Sequence, residues 1–264
     1  MPGIWDEKLE RDSMLIRTHD GSPAMLKAQR VVKDLRRAWA NPRAAWNYLR
    51  RWSLLARYAD LPAADVRRYR RELLDDDEFL GHLERNLGQA RGGSRWAAEL
   101  YVVVRATRPQ VVVETGVASG VSSAHILRAL AANGSGTLHS IDLPNVQHGS
   151  GLPAGRPTGW IVPNALRSRW NLTLGDSRTL LPSLLRTLDR VDLFFHDSDH
   201  SYENMSFEFE QAFPKVEHGG LILSDDSDLH PAWDDFCATH DLRPTRVVHM
   251  GVTRKLRSED LRYS

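Results

Sequence analysis

Five residues in two short stretches have the types and spacing to do chemistry together. Asp197, Asp199 and His200 crowd into FFHDSDHSYENM at 194–205, directly after an apolar run, and Asp225 with Asp226 ends LILSDD. Open parallel sheets bind ligands at the carboxyl ends of their strands, and neighbouring strands lie about 4.8 Å apart, so carboxylates from two such ends can reach one ion. Asp197, Asp225 and Asp226 held that close need a cation. An all-oxygen site without a thiolate suits Mg²⁺, and Mn²⁺ and Ca²⁺ share the preference for carboxylates and water. The plainer alternative is capping, with Asp199 and Ser201 starting a helix near Tyr202, and Asp226 and Ser227 starting another after the next strand. Capping accounts for one residue at each end and leaves the others as unpaired like charges.

Upstream, ETGVASG at 114–120 follows QVVVE and runs straight into a helix containing Ser122 and Ser123. Its two glycines let the backbone turn tightly against a ligand, and the helix start offers N–H groups to an anion such as a carboxylate. The spacing E-x-G-x-x-x-G lacks the middle glycine that admits a pyrophosphate in dinucleotide-binding folds. Asp142 closes GTLHSID, where a carboxylate can take both hydroxyls of a ribose. Asp176-Ser177 close LTLGDS, where a carboxylate can accept an adenine amino group. Either aspartate alone is more often a cap or turn residue. Three ligand-ready strand ends in succession are much harder to dismiss.

The elements that must position these groups show in the texture of the chain. From Gln110 onward, strand and helix alternate: QVVVETG, SSAHILRALAANG, GTLHSIDLP, NLTLGDS, TLLPSLLRTL, RVDLFFHD, YENMSFEFEQAFPKV and GLILSDD. Apolar strands separated by helices indicate a parallel sheet covered on both faces. A helix at 231–239 follows, and TRVVHM with VTRKLR is expected to close the sheet as an antiparallel hairpin around Gly251. The fold expected is α/β: a Rossmann-like doubly wound sheet of seven strands, six parallel and one antiparallel, with an amino-terminal helical extension. Residues 1–93 read as that extension and 94–264 as the sheet domain, with Arg91-Gly92-Gly93 as the junction and Ser94 as the cap of a helix running to Pro109. In the extension, Trp46, Leu49, Trp52 and Leu55 recur at helical spacing and read as a packing stripe. The irregular segment at 144–169, rich in Gly and Pro, has the length of a lid or substrate wall.

Composition narrows the function classes. The formal charge is +1, but residues 30–72 hold twelve Arg or Lys against four acids, a local net of +8 that leaves −7 for the remainder. The single cysteine, Cys237, has no second thiol for a disulfide or a zinc knuckle and reads as a small apolar filler. No apolar run approaches the roughly 20 residues of a membrane-spanning helix, and the charged start MPGIWDEKLERD is unlike a signal peptide. A cytoplasmic location is expected.

Together, ETGVASG, the acidic end of SID and GDS resemble the S-adenosylmethionine site of class I methyltransferases, over residues 94–256. The resemblance implies that Glu114, Gly116, Ser119 and Ser122 surround the methionine part, that Asp142 binds the ribose and that Asp176 with Ser177 addresses the adenine. HDSDHSYENM followed by GGLILSDD is similar to the metal-dependent O-methyltransferases that modify sugar hydroxyls on macrolides and aminocoumarins, and the spacing of 28 between Asp197 and Asp225 fits. That similarity implies Asp197, Asp225 and Asp226 as metal ligands, and Asp199 or His200 as the general base. GWIVPNALRSRWNLTLGDS resembles bacterial relatives whose substrate is not known.

The chemistry implied is methyl transfer from S-adenosylmethionine to a hydroxyl of a small-molecule or oligosaccharide acceptor. A sugar hydroxyl has a pKa near that of water, about 15.7, so chelation to a divalent ion and a positioned base are both needed. A nucleic-acid methyltransferase is the first rival, because the +8 segment interleaves Arg with Trp39, Trp46, Tyr48, Trp52, Tyr58 and Tyr69. It is disfavoured because helical Arg faces are usually solvated or paired, and because Arg outnumbers Lys thirty to five throughout the chain. The same helices could instead wall the acceptor site or form a homo-oligomer contact. A nicotinamide-dependent oxidoreductase is disfavoured by the absent third glycine, and a catalytically silent scaffold by the intact acidic set.

Overall fold

The computed structural model describes residues 42–87, 96–144, 152 and 155–256. The expected junction at Arg91-Gly92-Gly93 and the Ser94 cap lie outside the described residues, as does part of the segment at 144–169. The chain divides into two compact units, Met1–Leu49 and Arg50–Ser264. The second carries the sheet and every residue of the candidate site.

Seven strands, β1 (Val111–Thr115), β2 (Thr137–Asp142), β3 (Trp170–Leu174), β4 (Val191–His196), β5 (Val216–Ser224), β6 (Thr245–Val247) and β7 (Met250–Arg254), form one sheet in the order β3-β2-β1-β4-β5-β7-β6. The first five pair in parallel, and β7 runs antiparallel to both β5 and β6. Six strands therefore run one way and one the other, as the sequence predicts. The order reverses between β1 and β4, which opens a crevice at their carboxyl ends.

Among the described residues there are eight α-helices: α1 (Pro42–Tyr58), α2 (Ala63–Leu74), α3 (Asp77–Leu87), α4 (Ala97–Thr107), α5 (Val121–Asn133), α6 (Ser177–Thr187), α7 (Tyr202–Ala212) and α8 (Ala232–Thr239). Strand side chains alternate between faces. Val113, Ile141, Phe194 and Ile222 join Leu181 and Leu185 of α6, Met205 and Phe209 of α7, and Trp233 and Phe236 of α8 in one buried cluster. Burying a side chain such as Phe194 contributes about 1.5–3 kcal/mol. On the opposite face α4 packs along α5, and α2 along α4. This explains why Leu100, Tyr101, Val102, Val103 and Val104 are all buried although they circle α4 completely. The helix stops at Arg108, whose φ of 51° puts it in the left-handed region, just before Pro109.

Polar contacts fasten α2 and α3 to this face. Glu72 accepts from Arg105 Nε at 2.6 Å and from Tyr101 at 2.6 Å, and Asp76 accepts from Arg128 at 2.6 Å. Phe79 meets His125 edge-on at 5.1 Å. The stripe expected on α1 is used at one end only. Leu55 and Ala59 are buried, whereas Trp46 and Leu49, about two turns earlier, are 60% and 71% exposed. The expected hairpin forms, but Gly251 is not its turn. Val248 and His249 make the turn between β6 and β7, and Gly251 sits inside β7, where a Cβ would come within 2.7 Å of the buried Trp233 ring.

Candidate active site

Main-chain bonds across the strand ends set out the site. Gly116 N–H donates to Ile141 C=O at 2.9 Å, Asp197 N–H to Thr115 C=O at 2.8 Å, and Asp225 N–H to His196 C=O at 2.8 Å. Each donor is the first residue past its strand. The sheet ladder thus continues into the loops and places the ends of β1, β4 and β5 side by side. The ends of β1 and β4 border a cleft of about 700 Å³ lined by Gly116, Asp142, Asp176, Ser177, Asp197 and Asp199, with Val117, Ala118, Leu143, Arg178, Ser198 and Asn204 between them. Arg178, Ser198 and Asn204 have no counterpart among the residues picked out by motif.

At the β1 end, Gly116 has φ 85°, and a Cβ there would lie 1.9 Å from the Asp197 carbonyl oxygen. Asp142 turns both oxygens to the loop: Oδ2 accepts from Ala118 N–H at 2.7 Å and Oδ1 from Leu143 N–H at 2.8 Å. A carboxylate has about four acceptor positions, so two donors leave room for hydroxyls from the cleft. Burial raises the Asp142 pKa against the pull of those N–H donors. Asp176 caps α6, its Oδ1 accepting from Arg178 N–H at 2.9 Å, and Ser177 is the first residue of that helix.

Glu114, Ser119 and Ser122 do not line the cleft. They are buried beneath its loop, where Glu114 accepts from Ser122 Oγ at 2.6 Å, Ser123 Oγ at 2.6 Å and Ser140 Oγ at 2.7 Å. Trp170 Nε1–H donates in turn to Ser140 Oγ at 2.9 Å. Burial pushes the Glu114 carboxyl up to about 7, against the three hydroxyls that lower it. The described part of the segment at 144–169 lies behind the same loop. Gly159 N–H donates to Ala118 C=O at 2.8 Å, and Ile161 N–H to Ser119 C=O at 3.1 Å.

At the β4 and β5 ends, a carboxylate oxygen of Asp197, a ring nitrogen of His200 and a carboxylate oxygen of Asp225 converge within 4.8 Å of one another. Asp225 Oδ1 and His200 Nε2 are buried without a hydrogen-bond partner, and His200 Nε2 is 4.0 Å from Asp197 Oδ1. Two orphaned buried polar atoms, one from an acid and one from an imidazole, beside a second acid are a donor set suited to a divalent ion. Burial, and then the charge of Asp225, hold the Asp197 carboxyl well above the usual carboxylate range. Burial, followed by the neighbouring His196, lowers His200. Asp226 lies outside this trio, with a left-handed φ of 42°, and acts on Asp197 through its charge. Neither Asp226 nor Ser227 caps the following helix, because the cap of α8 is Pro231. The capping expectation does describe Asp199, whose Oδ1 accepts from Ser201 N–H at 3.1 Å and Oδ2 from Ser201 Oγ at 2.9 Å, while Ser201 caps α7.

Behind the acids lies a buried network that motif reasoning missed. Glu208 of α7 accepts from His196 Nδ1 at 2.7 Å, Ser198 Oγ at 2.8 Å, Asn204 Nδ2 at 3.1 Å and Thr115 Oγ1. Burial alone would raise its carboxyl, but the His196 charge and these donors hold it at about 2. The network joins the last residue of β1 to the loop that carries Asp197. One signal was available: Glu208 interrupts the apolar face formed by Met205, Phe209 and Ala212.

Residues 113–227 match the family described as a methyltransferase domain. No curated protein matches the chain. Among solved structures, the O-methyltransferase TomG of Streptomyces achromogenes, involved in tomaymycin synthesis and solved in complex with SAM, has a TM-score of 0.51 at 14% identity, covering 69% of this chain and 91% of that one. A methyltransferase from Geobacter sulfurreducens also has a TM-score of 0.51, at 18% identity, covering 69% of this chain and 92% of that one. At these identities the likeness establishes the fold.

Proposed function

We propose that this protein, whose residues 113–227 match a methyltransferase domain, is an S-adenosylmethionine-dependent, divalent-metal-dependent O-methyltransferase acting on a hydroxyl of a sugar, glycan or glycosylated metabolite. The observation that carries the metal is the convergence of Asp197, His200 and Asp225, two of them with buried unpartnered atoms, at a point where Asp197 also lines the cleft that Asp142 and Asp176 line. The O-methyl class is supported by the fold shared with TomG. The sugar acceptor rests on the resemblance of HDSDHSYENM and GGLILSDD to sugar-modifying enzymes.

In this reading Asp142 orients the ribose hydroxyls, Asp176 and Ser177 face the adenine, and the 116–120 loop holds the methionine part. S-adenosylmethionine, when bound, supplies an electrophilic sulfonium methyl. Asp197, His200 and Asp225 would hold Mg²⁺ or Mn²⁺, with Asp226 adding a third negative charge nearby. A divalent ion, when bound, lowers the pKa of a hydroxyl chelated to it. Asp199 is exposed on the cleft wall and takes the acceptor proton through an oxygen that Ser201 does not saturate. We assign His200, the second base candidate of the sequence, to the metal; its convergence with Asp197 and Asp225 supports that role. Gly116 and Asp197 touch, so the two halves of the cleft hold methyl donor and acceptor in fixed alignment, which is the larger part of what such an enzyme must supply.

The nucleic-acid alternative loses support from the basic helices themselves. Trp52 lies between the guanidinium groups of Arg51 and Arg70, at 5.3 and 5.2 Å, and Tyr69 is buried beneath Arg68 and Arg105. These two rings pack against Arg side chains rather than offering open stacking platforms, whereas Trp46 of the same set is exposed. No helix among the described residues is long and apolar enough to cross a membrane.

Ligand-dependent melting tests the reading. S-adenosylhomocysteine at 100 times its dissociation constant should add about 2.7 kcal/mol of stability, and Mg²⁺ should add to it. Stabilisation by NAD and none by S-adenosylhomocysteine would overturn the reading.

A further inference from the structure

The segment behind the cofactor loop is held from the far side by the amino-terminal helices. Ile161 bonds in two directions: its N–H donates to Ser119 C=O at 3.1 Å, and its C=O accepts from His82 Nε2–H of α3 at 2.8 Å. Two residues earlier, Gly159 N–H donates to Ala118 C=O at 2.8 Å, and Arg167 Nη2 donates to Gly159 C=O at 2.8 Å. Thr158 Oγ1 reaches Leu143 C=O, next to Asp142, at 3.4 Å. Residues 158, 159, 161 and 162 are buried, so this strap has no water to replace a lost partner.

The loop it supports is under strain. Ala118 has φ 47°, a left-handed conformation that a non-glycine residue adopts only when its surroundings impose it. Ala118 N–H is also the group that binds Asp142 Oδ2, and Ala118 lines the cleft. The strap sits so close that a Cβ on Gly120 would come within 2.8 Å of Gly159 Cα. Movement of the strap must therefore move the loop.

We propose that His82 is a positioning residue for S-adenosylmethionine: from α3 it fixes Ile161, and through Ile161 the strap that holds 118–120 in its binding conformation. This rests on the cofactor reading above and gives the helical extension a part in the cofactor site. His82 donates to a carbonyl, so Nε2 carries a hydrogen, and a glutamine amide can make the same bond.

The test is calorimetric binding of S-adenosylhomocysteine to wild type, His82→Ala and His82→Gln, well below the melting temperature of each variant. Loss of one bond behind a strained loop should weaken His82→Ala roughly three- to tenfold, with His82→Gln recovering most of the loss. Amide exchange in the wild-type protein supplies a second readout that needs no variant. Gly159 and Ile161 amides should exchange more slowly when S-adenosylhomocysteine is bound. Equal affinities for all three proteins, or a lower melting temperature with unchanged affinity, give His82 a purely structural role and overturn the proposal, as do Gly159 and Ile161 amides indifferent to the ligand. A wild-type protein that fails to bind S-adenosylhomocysteine removes the cofactor reading itself, and this inference with it.

Discussion

Gly116 and Asp197 touch: a Cβ on the glycine would lie 1.9 Å from the Asp197 carbonyl oxygen, and the glycine holds φ 85°. The contact joins the glycine-rich loop after β1 to the loop that carries the candidate metal ligands. Gly116→Ala therefore has no accommodating shift that spares either. It should cost about 2 kcal/mol or more from left-handed strain and overlap. Affinities for S-adenosylhomocysteine and for Mn²⁺ should both fall, and calorimetry on the folded variant would check this. Loss of only one affinity would show that the two loops move independently.

Glu208 makes a second link between those loops, by way of Thr115, Ser198, Asn204 and His196. Glu208→Gln places an amide N–H₂ among donors and should destabilise by about 3 kcal/mol in urea unfolding. Ser198→Ala removes a single donor and should cost about 1 kcal/mol. Because the Glu208 carboxyl is lowered to about 2 from 4.5, its contribution is present above pH 4.5 and disappears as the pH falls through about 2. Its replacement should therefore flatten the acid limb of the stability curve.

Glu114 has the opposite sign. Its carboxyl is raised to about 7 from 4.5, so the protonated form is the one the fold favours. Its contribution is complete below pH 4.5 and is lost as the pH rises through about 7, a change of about 3 kcal/mol. Glu114→Gln does not titrate, so denaturation measured from pH 4 to 8 should show a decline in wild type that the variant lacks. Equal slopes would mean that Ser122, Ser123 and Ser140 already stabilise the ionised form.

The strand ends were legible because chain order and side-chain type are local signals: each of Gly116, Asp142, Asp176 and Asp197 follows an apolar strand and lines the cleft. The parallel sheet followed from the alternation of strands and helices. What the residues alone left open was which way each side chain points. Glu114 belongs to the same motif as Gly116, but it is still inside β1 and its carboxylate meets the serines of α5 rather than the cleft, whereas Gly116 is already in the loop. Nor did the residues alone show that His200 converges with Asp197 and Asp225, while Asp226, at a left-handed φ of 42°, lies outside that trio. Gly251 read as a turn because glycine suits one, whereas its role is to admit the Trp233 ring.

Asp199 and His200 are adjacent but are assigned different tasks, and two substitutions separate them. Asp199→Asn should lower turnover by about 100-fold or more with Mn²⁺ affinity retained, as expected for loss of a general base. His200→Ala should weaken Mn²⁺ binding by about 10- to 100-fold. The reverse pattern, with metal affinity following Asp199 and turnover alone following His200, would exchange the two roles.

The most direct measurement of the central claim is methyl transfer to a responsive sugar hydroxyl, with radiolabelled S-adenosylmethionine, before and after exhaustive chelation and in Asp225→Asn. That substitution keeps the size of the side chain and removes one charge from the trio. The account predicts that chelation abolishes transfer and added Mg²⁺ or Mn²⁺ restores it in wild type. In Asp225→Asn, transfer should fall at least 100-fold, while S-adenosylhomocysteine affinity stays within about twofold. Transfer that survives chelation, together with an equally active Asp225→Asn, would contradict the account and leave Asp197, His200 and Asp225 with a structural role.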